Sequence, residues 1–280
     1  MESIKKFAFV AGCVAFSMLS ASALTAGKAM KIENISGAWH PMLSPDTKTL
    51  VFSTEDHTGL NCLDIESGDL TMVDDSKGAG FSPVFSADGK KVYYRTAALV
   101  DGLMNRDVRA YTIGDNDATA VHGMTRKDID MRAQAGFTTY ATAHYDHIDL
   151  TVDGVTKEIR PLADKAHSYL WASLSPDGKR MVFNEPFSGV YIANADGSNP
   201  RKIADRGDYP AWVSNSAIVY VDAHDDGYQT TEAVLKAYDV DENITISVTE
   251  KDMIVSEVSA VRGKVAFATA DGGLYLVNVQ

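Results

Sequence analysis

The run "WASLSPDGKRMVFNE" (residues 171–185) decides the fold, because the chain contains it three times. "MLSPDTKTLVFST" (42–54) and "VFSADGKKVYYRT" (84–96) share its plan: an apolar residue, then Ser-Pro/Ala-Asp, a Lys two residues after the Asp, and an alternating strand. The apolar residue before the Ser is Leu43, Phe85 and Leu174, so the copies are spaced by 42 and then 89 residues. A period near forty residues is the size of one propeller blade. The doubled second gap predicts a worn copy between, and "DIDMRAQAGFTTYATAHYDHIDLTVDGVTKEIRPLAD" (128–164) supplies four short strand-like runs without the Ser-Pro-Asp. Further copies follow at "YPAWVSNSAIVYVD" (209–222) and "VSEVSAVRGKVAFATADGGLYLVNV" (255–279).

Each copy divides into the same strands. In the clearest, the inner strand is "SYLWASL", followed by the turn Ser175-Pro176-Asp177-Gly178; then come "RMVFNE", "GVYIANA", the turn Asp196-Gly197, and the outer strand "PRKIA". Pro, Asp and Gly at these places are turn chemistry between β-rich runs. No amphipathic run long enough for a helix follows residue 23, so the class is all-β. The last copy runs out after three strands, and "AMKIENIS" (29–36) can supply its fourth. The expected architecture is a six-bladed β-propeller of four-stranded blades, closed by an N-terminal strand that leaves no open edge. The blades fall at about 36–75, 76–125, 126–164, 165–205, 206–250 and 251–280 plus 28–35, in one domain covering 24–280.

Residues 1–23 read as a secretory signal peptide: Lys5 and Lys6, the apolar run Phe7–Leu19, and Ala21-Ser22-Ala23 at the cleavage site. Val10-Ala11-Gly12-Cys13 has the form of a lipobox, a competing reading that shortens the apolar region to Phe7–Gly12 and leaves the rest of the run unused. No later run is long and apolar enough to span a membrane. Export implies a periplasmic or secreted protein, expected to be a monomer. Beyond the leader the chain keeps one cysteine, Cys62, within the alternating "LNCLDI", so a buried thiol is expected and no disulfide. With 26 Lys+Arg against 38 Asp+Glu the net charge is −12, which argues against nucleic-acid binding.

The repeat resembles the TolB-type propeller, a WD-repeat-like family whose blades carry an apolar-Ser-Pro-Asp-Gly-Lys turn before an "I-x-F/Y" strand. The likeness runs from Ser36 to Val279 and is strongest in the first, second and fourth copies. TolB itself carries a separate N-terminal α/β domain, for which the residues before the first copy leave no room. The family includes exported binding proteins and enzymes, so the resemblance implies a scaffold and not a job.

Strands that alternate in direction sort the connections onto two faces. First-to-second and third-to-fourth turns are tight, and Asp46, Asp88 and Asp177 belong to them as turn formers. The second-to-third connections share the other face with the links between blades, and the long ones are here: 53–59, 96–107, 142–149, 184–189 and 222–232. Function concentrates on such loops. This face gathers Glu55, Asp56 and His57; His144, Asp146 and His147; and Asp222, His224, Asp225 and Asp226. His40 and His167 begin inner strands near the same channel mouth. Histidine with carboxylate is a ligand set for divalent metals, and Asp222-x-His224-x-Asp226-Gly227 partly imitates a calcium loop, without the Glu at position twelve. Solvated loops of an acidic protein give the same residues. Lys77, Lys127, Lys165, Arg206 and Lys251 in the links between blades would ring the channel, beside acidic neighbours that neutralise them. Trp39, Trp171 and Trp212 fit packing between blades.

Two functions follow. One is a non-catalytic scaffold that binds a protein or peptide of the cell envelope through the long-loop face, with His40, His57, His144, His147, His167, Asp222, His224 and Asp226 as candidate contacts. The other is a metal-dependent lyase or hydrolase of an acidic polysaccharide, with His40, His144, His167 and His224 holding the metal. There is no G-x-S-x-G, so a serine hydrolase is not expected.

Overall fold

The computed structural model describes residues 23–54, 58–115, 117–163 and 167–280. The leader up to Ser22, with Cys13, and the candidates Glu55, Asp56, His57, Asp164 and Lys165 lie outside the described residues.

Six antiparallel sheets form a propeller ring. Strand β1 (Met30–Lys31) precedes the first blade, which is β2 (Trp39–Leu43), β3 (Thr49–Ser53), β4 (Thr58–Asp64) and β5 (Leu70–Lys77). The second blade is β6 (Val84–Phe85), β7 (Lys91–Tyr94), β8 (Ala97–Val100), β9 (Leu103–Thr112) and β10 (Ala118–Thr125). A helical turn, α1 (Met131–Gln134), leads to β11 (Tyr140–Ala143), β12 (Ile148–Val152) and β13 (Val155–Ile159). The fourth blade is β14 (Leu170–Leu174), β15 (Arg180–Glu185), β16 (Gly189–Asn194) and β17 (Arg201–Ala204). The fifth is β18 (Asp208–Trp212), β19 (Ala217–Asp225), β20 (Thr230–Asp239) and β21 (Ile244–Ser247). The sixth joins β22 (Val255–Val261), β23 (Lys264–Thr269) and β24 (Leu274–Asn278) to β1.

The repeated Ser-x-Asp closes its turn with its own side chains. Ser44 Oγ donates to Asp46 Oδ1 (2.6 Å) and accepts from Thr49 N (2.9 Å), while Asp46 Oδ1 also accepts from Lys48 N (3.1 Å). Ser86 and Asp88 repeat the set with Lys90 and Lys91, and Ser175 and Asp177 repeat it with Lys179 and Arg180. The Lys after the Asp therefore contributes its backbone N–H. Gly89 and Gly178 take the left-handed conformation that ends the turn (φ 72° and 68°); in the first blade Thr47 adopts it at 63°.

The third blade departs from the four runs read between 128 and 164: three strands pair, and α1 stands where the chain would form the inner strand. Backbone bonds fix the equivalence. Gly154 N donates to Thr138 O as Ile65 N does to Lys48 O and Ala195 N to Lys179 O, so residue 138 lies in the first-to-second turn and β11 is the second strand. Asp130 caps the helical turn, accepting from Arg132 N and Ala133 N, and "MRAQ" favours helix over a strand it has no β-branched residue to fill.

Each core cluster lies between neighbouring blades. Val51, Leu60 and Cys62 pack on Phe85, Val92 and Tyr94; Phe183 and Tyr169 pack on Ile148 and Leu150; Leu50 and Phe52 pack on Ala266 and Leu274. Central strands are thus covered on both faces, and Leu50, Val51 and Phe52 are all buried in succession. Cys62 is buried as expected, and burial first, with Asp64 adding, pushes its thiol up to about 11.

The closing strand pairs where expected. Met30 stands opposite Leu276 and Lys31 opposite Tyr275, and Thr25 and Gln280 exchange backbone bonds of 2.6 and 2.9 Å. Leu24, Ala26 and Ala29 cover the core between blades five and six, and Ile32 and Ile35 that between six and one. Deleting residues 24–35 should lower the melting temperature by roughly 10 °C, since a loss of about 3–5 kcal/mol shifts a domain of this size by a few degrees per kcal/mol. Calorimetry with light scattering checks this; a shift within about two degrees would show that the ring does not depend on the segment.

Candidate functional site

At the channel mouth on the long-connection face, four inner strands carry a residue in the left-handed region at or just before their start: His40 (φ 52°), Ser82 (47°), Trp171 (50°) and Tyr209 (52°). Each lies four residues before the first position of its tight turn, at Ser44, Ser86, Ser175 and Val213. In blades one, four and five the pairing register slips there, between Trp39 and Met42, Leu170 and Ser173, and Asp208 and Ala211. These are β-bulges, which re-aim a side chain at a cost of roughly 1–3 kcal/mol each when a non-glycine residue adopts this φ.

The re-aimed side chains form an arc. His40 Nδ1 lies 2.5 Å from Glu257 Oε2, and Tyr209 donates its hydroxyl to Glu257 Oε1 at 3.4 Å. Burial, with Glu257 adding, pushes the Tyr209 phenol up to about 12, so it remains a donor. Trp171 packs against Tyr209 with ring centroids 4.5 Å apart and planes tilted by 39°. Trp212 packs between blades as its pattern implies, donating Nε1–H to Ser173 O (3.2 Å), whereas Trp171 belongs to the mouth.

His167 and His224 are held apart, each on a carboxylate of its own. His167 lies 3.7 Å from Glu185 at the end of β15. His224 Nε2 lies 3.2 Å from Asp222, and Arg206 donates to His224 Nδ1 at 2.8 Å. Asp226 turns away from both: its Oδ1 accepts from Tyr228 N (2.9 Å) and Gln229 N (3.0 Å), and these bonds hold its carboxyl below the usual range. The calcium-like segment 222–227 is therefore strand and turn, without converging carboxylates. His144 and His147 do come together, with Asp149, a residue the spacing did not single out.

The long connections are mostly ladder. β19 and β20 stay paired to His224 opposite Glu232, and residues 96–107 form the β8–β9 hairpin, with Leu99 opposite Met104. At the tips stand large apolar and aromatic side chains: Leu99 and Met104 in blade two, Tyr145 (82 % exposed) in blade three, Phe187 (91 %) in blade four and Tyr228 (97 %) in blade five. Loop length marks these segments in the sequence, but single exposed aromatics in them carry no period that marks them as anchors.

Beside the β8–β9 hairpin a cleft of about 120 Å³ is lined by Arg95, Arg106, Arg126 and Lys127, with Asp107 and Asp128. Among the described residues of the expected ring, Lys251 pairs across loops with Glu232 (3.1 Å), and Asp128 pairs with Arg95 (3.2 Å). The hairpin base is clamped by Asp107, whose Oδ1 accepts from Thr96 N and Oγ1 (2.9 and 2.7 Å) and whose Oδ2 accepts from Arg109 Nε (3.0 Å). Arg109 also reaches Asp74 of the first blade at 3.4 Å. Burial acts to raise the pKa of both carboxyls, but bonds from Thr96, Ser76 and Tyr94 and the guanidinium outweigh it and hold both low.

No family model matches the sequence, and no curated protein does. Solved structures match the fold. Selenomethionine-substituted virginiamycin B lyase from Staphylococcus aureus aligns with a TM-score of 0.57 at 10% identity over 91% of this chain and 99% of that one; the catalytically inactive H270A form, solved with Quinupristin, aligns at 0.57 and 11%. A protein assigned as TolB from Agrobacterium tumefaciens aligns at 0.57 and 15% identity, over 92% of this chain and 99% of that one. The Cps50 (Swd1) β-propeller domain of Myceliophteria thermophila aligns at 0.55 and 10%, over 92% and 100%. At these identities the likeness establishes a propeller shared with TolB and WD40-type structures.

Replacing Arg109 by Met should cost about 1–3 kcal/mol in urea denaturation, discounted because the guanidinium is 37% exposed. The pH dependence separates its cause. Carboxyls held low in the folded state contribute fully above their ordinary value, near 3.8, and the contribution fades as pH falls through the lowered value. The wild type should therefore lose more stability on acidification than Arg109→Met; equal losses would show that the guanidinium does not hold these carboxyls.

Proposed function

We propose that this protein is an exported propeller that binds a protein or peptide partner of the cell envelope across its long-connection face. The observation that carries the reading is the set of solvent-exposed anchors, Leu99, Met104, Tyr145, Phe187 and Tyr228, at consecutive blade tips of one face. Aromatic and apolar side chains displayed together mark interaction surfaces, and such residues dominate binding energy once a partner covers them. The cleft of Arg95, Arg106, Arg126 and Lys127 adds a seat for an acidic side chain of that partner. The tight-turn face has its Ser and Asp side chains consumed by their own turns. The lyase reading needs His40, His144, His167 and His224 around one metal, and their separate carboxylate partners give it no support.

Export rests on the leader read at 1–23, and no helix among the described residues is long and apolar enough to cross a membrane. Intact-mass measurement of the protein recovered from the envelope should give an N-terminus at Leu24; a diacylglyceryl-modified Cys13 would establish a tethered form instead. A photo-crosslinking residue placed at Phe187 or Tyr228 should trap an envelope protein in cells, and one placed at Val152, beside a tight turn, should not. Phe187→Ala with Tyr228→Ala should weaken capture by roughly tenfold or more at an unchanged melting temperature, since exposed side chains contribute little to stability. Equal trapping from both faces would remove the assignment of the face.

A further inference from the structure

The second-to-third connection of blade three brings two histidines and a carboxylate to one point. His144 and His147 stand opposite each other across the β11–β12 turn, joined by His144 N donating to His147 O (2.8 Å), and Asp149 follows His147 by two, which returns it to the same side of the hairpin. His144 Nε2 lies 3.1 Å from Asp149 Oδ2 and His147 Nε2 lies 3.5 Å from Asp149 Oδ1. The three ligand atoms all lie within 4.8 Å of one another. Ligands bonded at 2.0–2.1 Å around a tetrahedral ion are about 3.3 Å apart, so the arrangement already has the dimensions of a site.

Hydrogen-bond direction sets which nitrogen of His147 faces the third ligand. Asp146 Oδ1 lies 2.8 Å from His147 Nδ1, and a carboxylate there can only accept, so Nδ1 carries the hydrogen. In the neutral ring, Nε2 is then a lone pair facing the Asp149 carboxylate, acceptor against acceptor. The two imidazoles lie parallel within 15° at a centroid distance of 4.6 Å, so both rings present an edge to the same carboxylate. A divalent ion held there would accept the His147 Nε2 lone pair and the Asp149 carboxylate together. His224 provides the contrast. Arg206 can only donate, so His224 Nδ1 accepts, Nε2–H donates to Asp222, and every position is filled without a metal.

We propose that His144, His147 and Asp149 bind one divalent transition-metal ion of the zinc class, with Asp146 orienting His147 from behind. The donor set, two imidazole nitrogens and a carboxylate, suits that class and leaves at least one coordination position open toward solvent. Asp146 supplies the outer carboxylate that such histidines use, and Arg160 holds Asp146 at 3.4 Å while also pairing with Glu158, so its charge is spent on two acids. Tyr145, between the two histidines, would be carried on a metal-fixed turn. The site stands independently of any partner, because it rests on the ligand geometry alone.

Titration of untagged, chelator-stripped protein with ZnCl₂ in a calorimeter should show one saturable site per chain. His147→Ala and Asp149→Ala should each weaken it by more than about 100-fold, and Asp146→Asn by roughly tenfold, whereas His224→Ala should leave it unchanged. Cobalt substitution of the wild-type chain tests the site without a variant: CoCl₂ should give the intense visible absorption of a four-coordinate ion, displaced by ZnCl₂. No saturable equimolar binding by the wild type, a Co²⁺ spectrum of the hydrated octahedral ion, or affinity unaltered in His147→Ala would each overturn the site.

Discussion

A ring of sheets is stable only if its last edge is covered, and here that task falls to a two-residue strand. Met30 and Lys31 add few ladder bonds, and the reciprocal pairing of Thr25 with Gln280 and the bond that Gly27 N donates to Asn278 O extend them. The larger contribution is apolar. Because the core is divided into clusters between blades, the segment from Leu24 to Ile35 supplies side chains to two of them at once. An unpaired β24 edge would expose backbone donors and acceptors and uncover both interfaces. Every other feature, including the strained channel mouth, depends on a ring that cannot open.

The mouth uses that rigidity. Four non-glycine residues in the left-handed region would together cost several kcal/mol, comparable to a domain's whole net stability. The cost is tolerable because interlocked blades leave each inner strand no other path. What it produces is a set of side chains, His40, Trp171 and Tyr209, directed at one another and at Glu257 instead of into blade interfaces. Strain that recurs at one height in successive blades is positional, a consequence of how an inner strand enters a narrow channel, and its residue types are free to vary. They differ among the four blades that carry them: His, Ser, Trp and Tyr.

The repeat was legible because its turn is chemically closed: Ser44 and Asp46, Ser86 and Asp88, and Ser175 and Asp177 must be those residues to make those bonds. The closing strand was legible too, since a propeller short of one strand must find it elsewhere. The third blade was read only in part. "MRAQ" differs from an inner strand by helix propensity over a few residues, a difference that Asp130 decides by capping. Of the candidate site, His144 and His147 were visible as a pair, but Asp149 joins them through the two-residue period of a strand whose register the spacing alone does not give. The bulges were invisible, because φ at His40 or Trp171 follows from register slippage against a neighbour and not from the residue. Asp222, His224 and Asp226 looked like one group and are two, since Asp226 is satisfied by turn amides that any loop reading leaves out.

Two segments that read as long loops, 96–107 and 222–232, are strands that overrun the blade, and this changes what the face can do. A floppy loop loses entropy when a partner orders it, whereas a paired hairpin has already lost it, so an anchor at its tip binds with less penalty. β19 and β20 hold Tyr228 this way, and Asp107 clamps the base of the hairpin that carries Leu99 and Met104. The same rigidity makes the anchors a liability. Exposed apolar tips on paired strands can neither retract nor collapse onto the blade, and left uncovered they invite association. Ser and Asp side chains closing the turns of one face, with Phe187 and Tyr228 left almost fully in solvent on the other, are what support the proposal that a partner covers that second face.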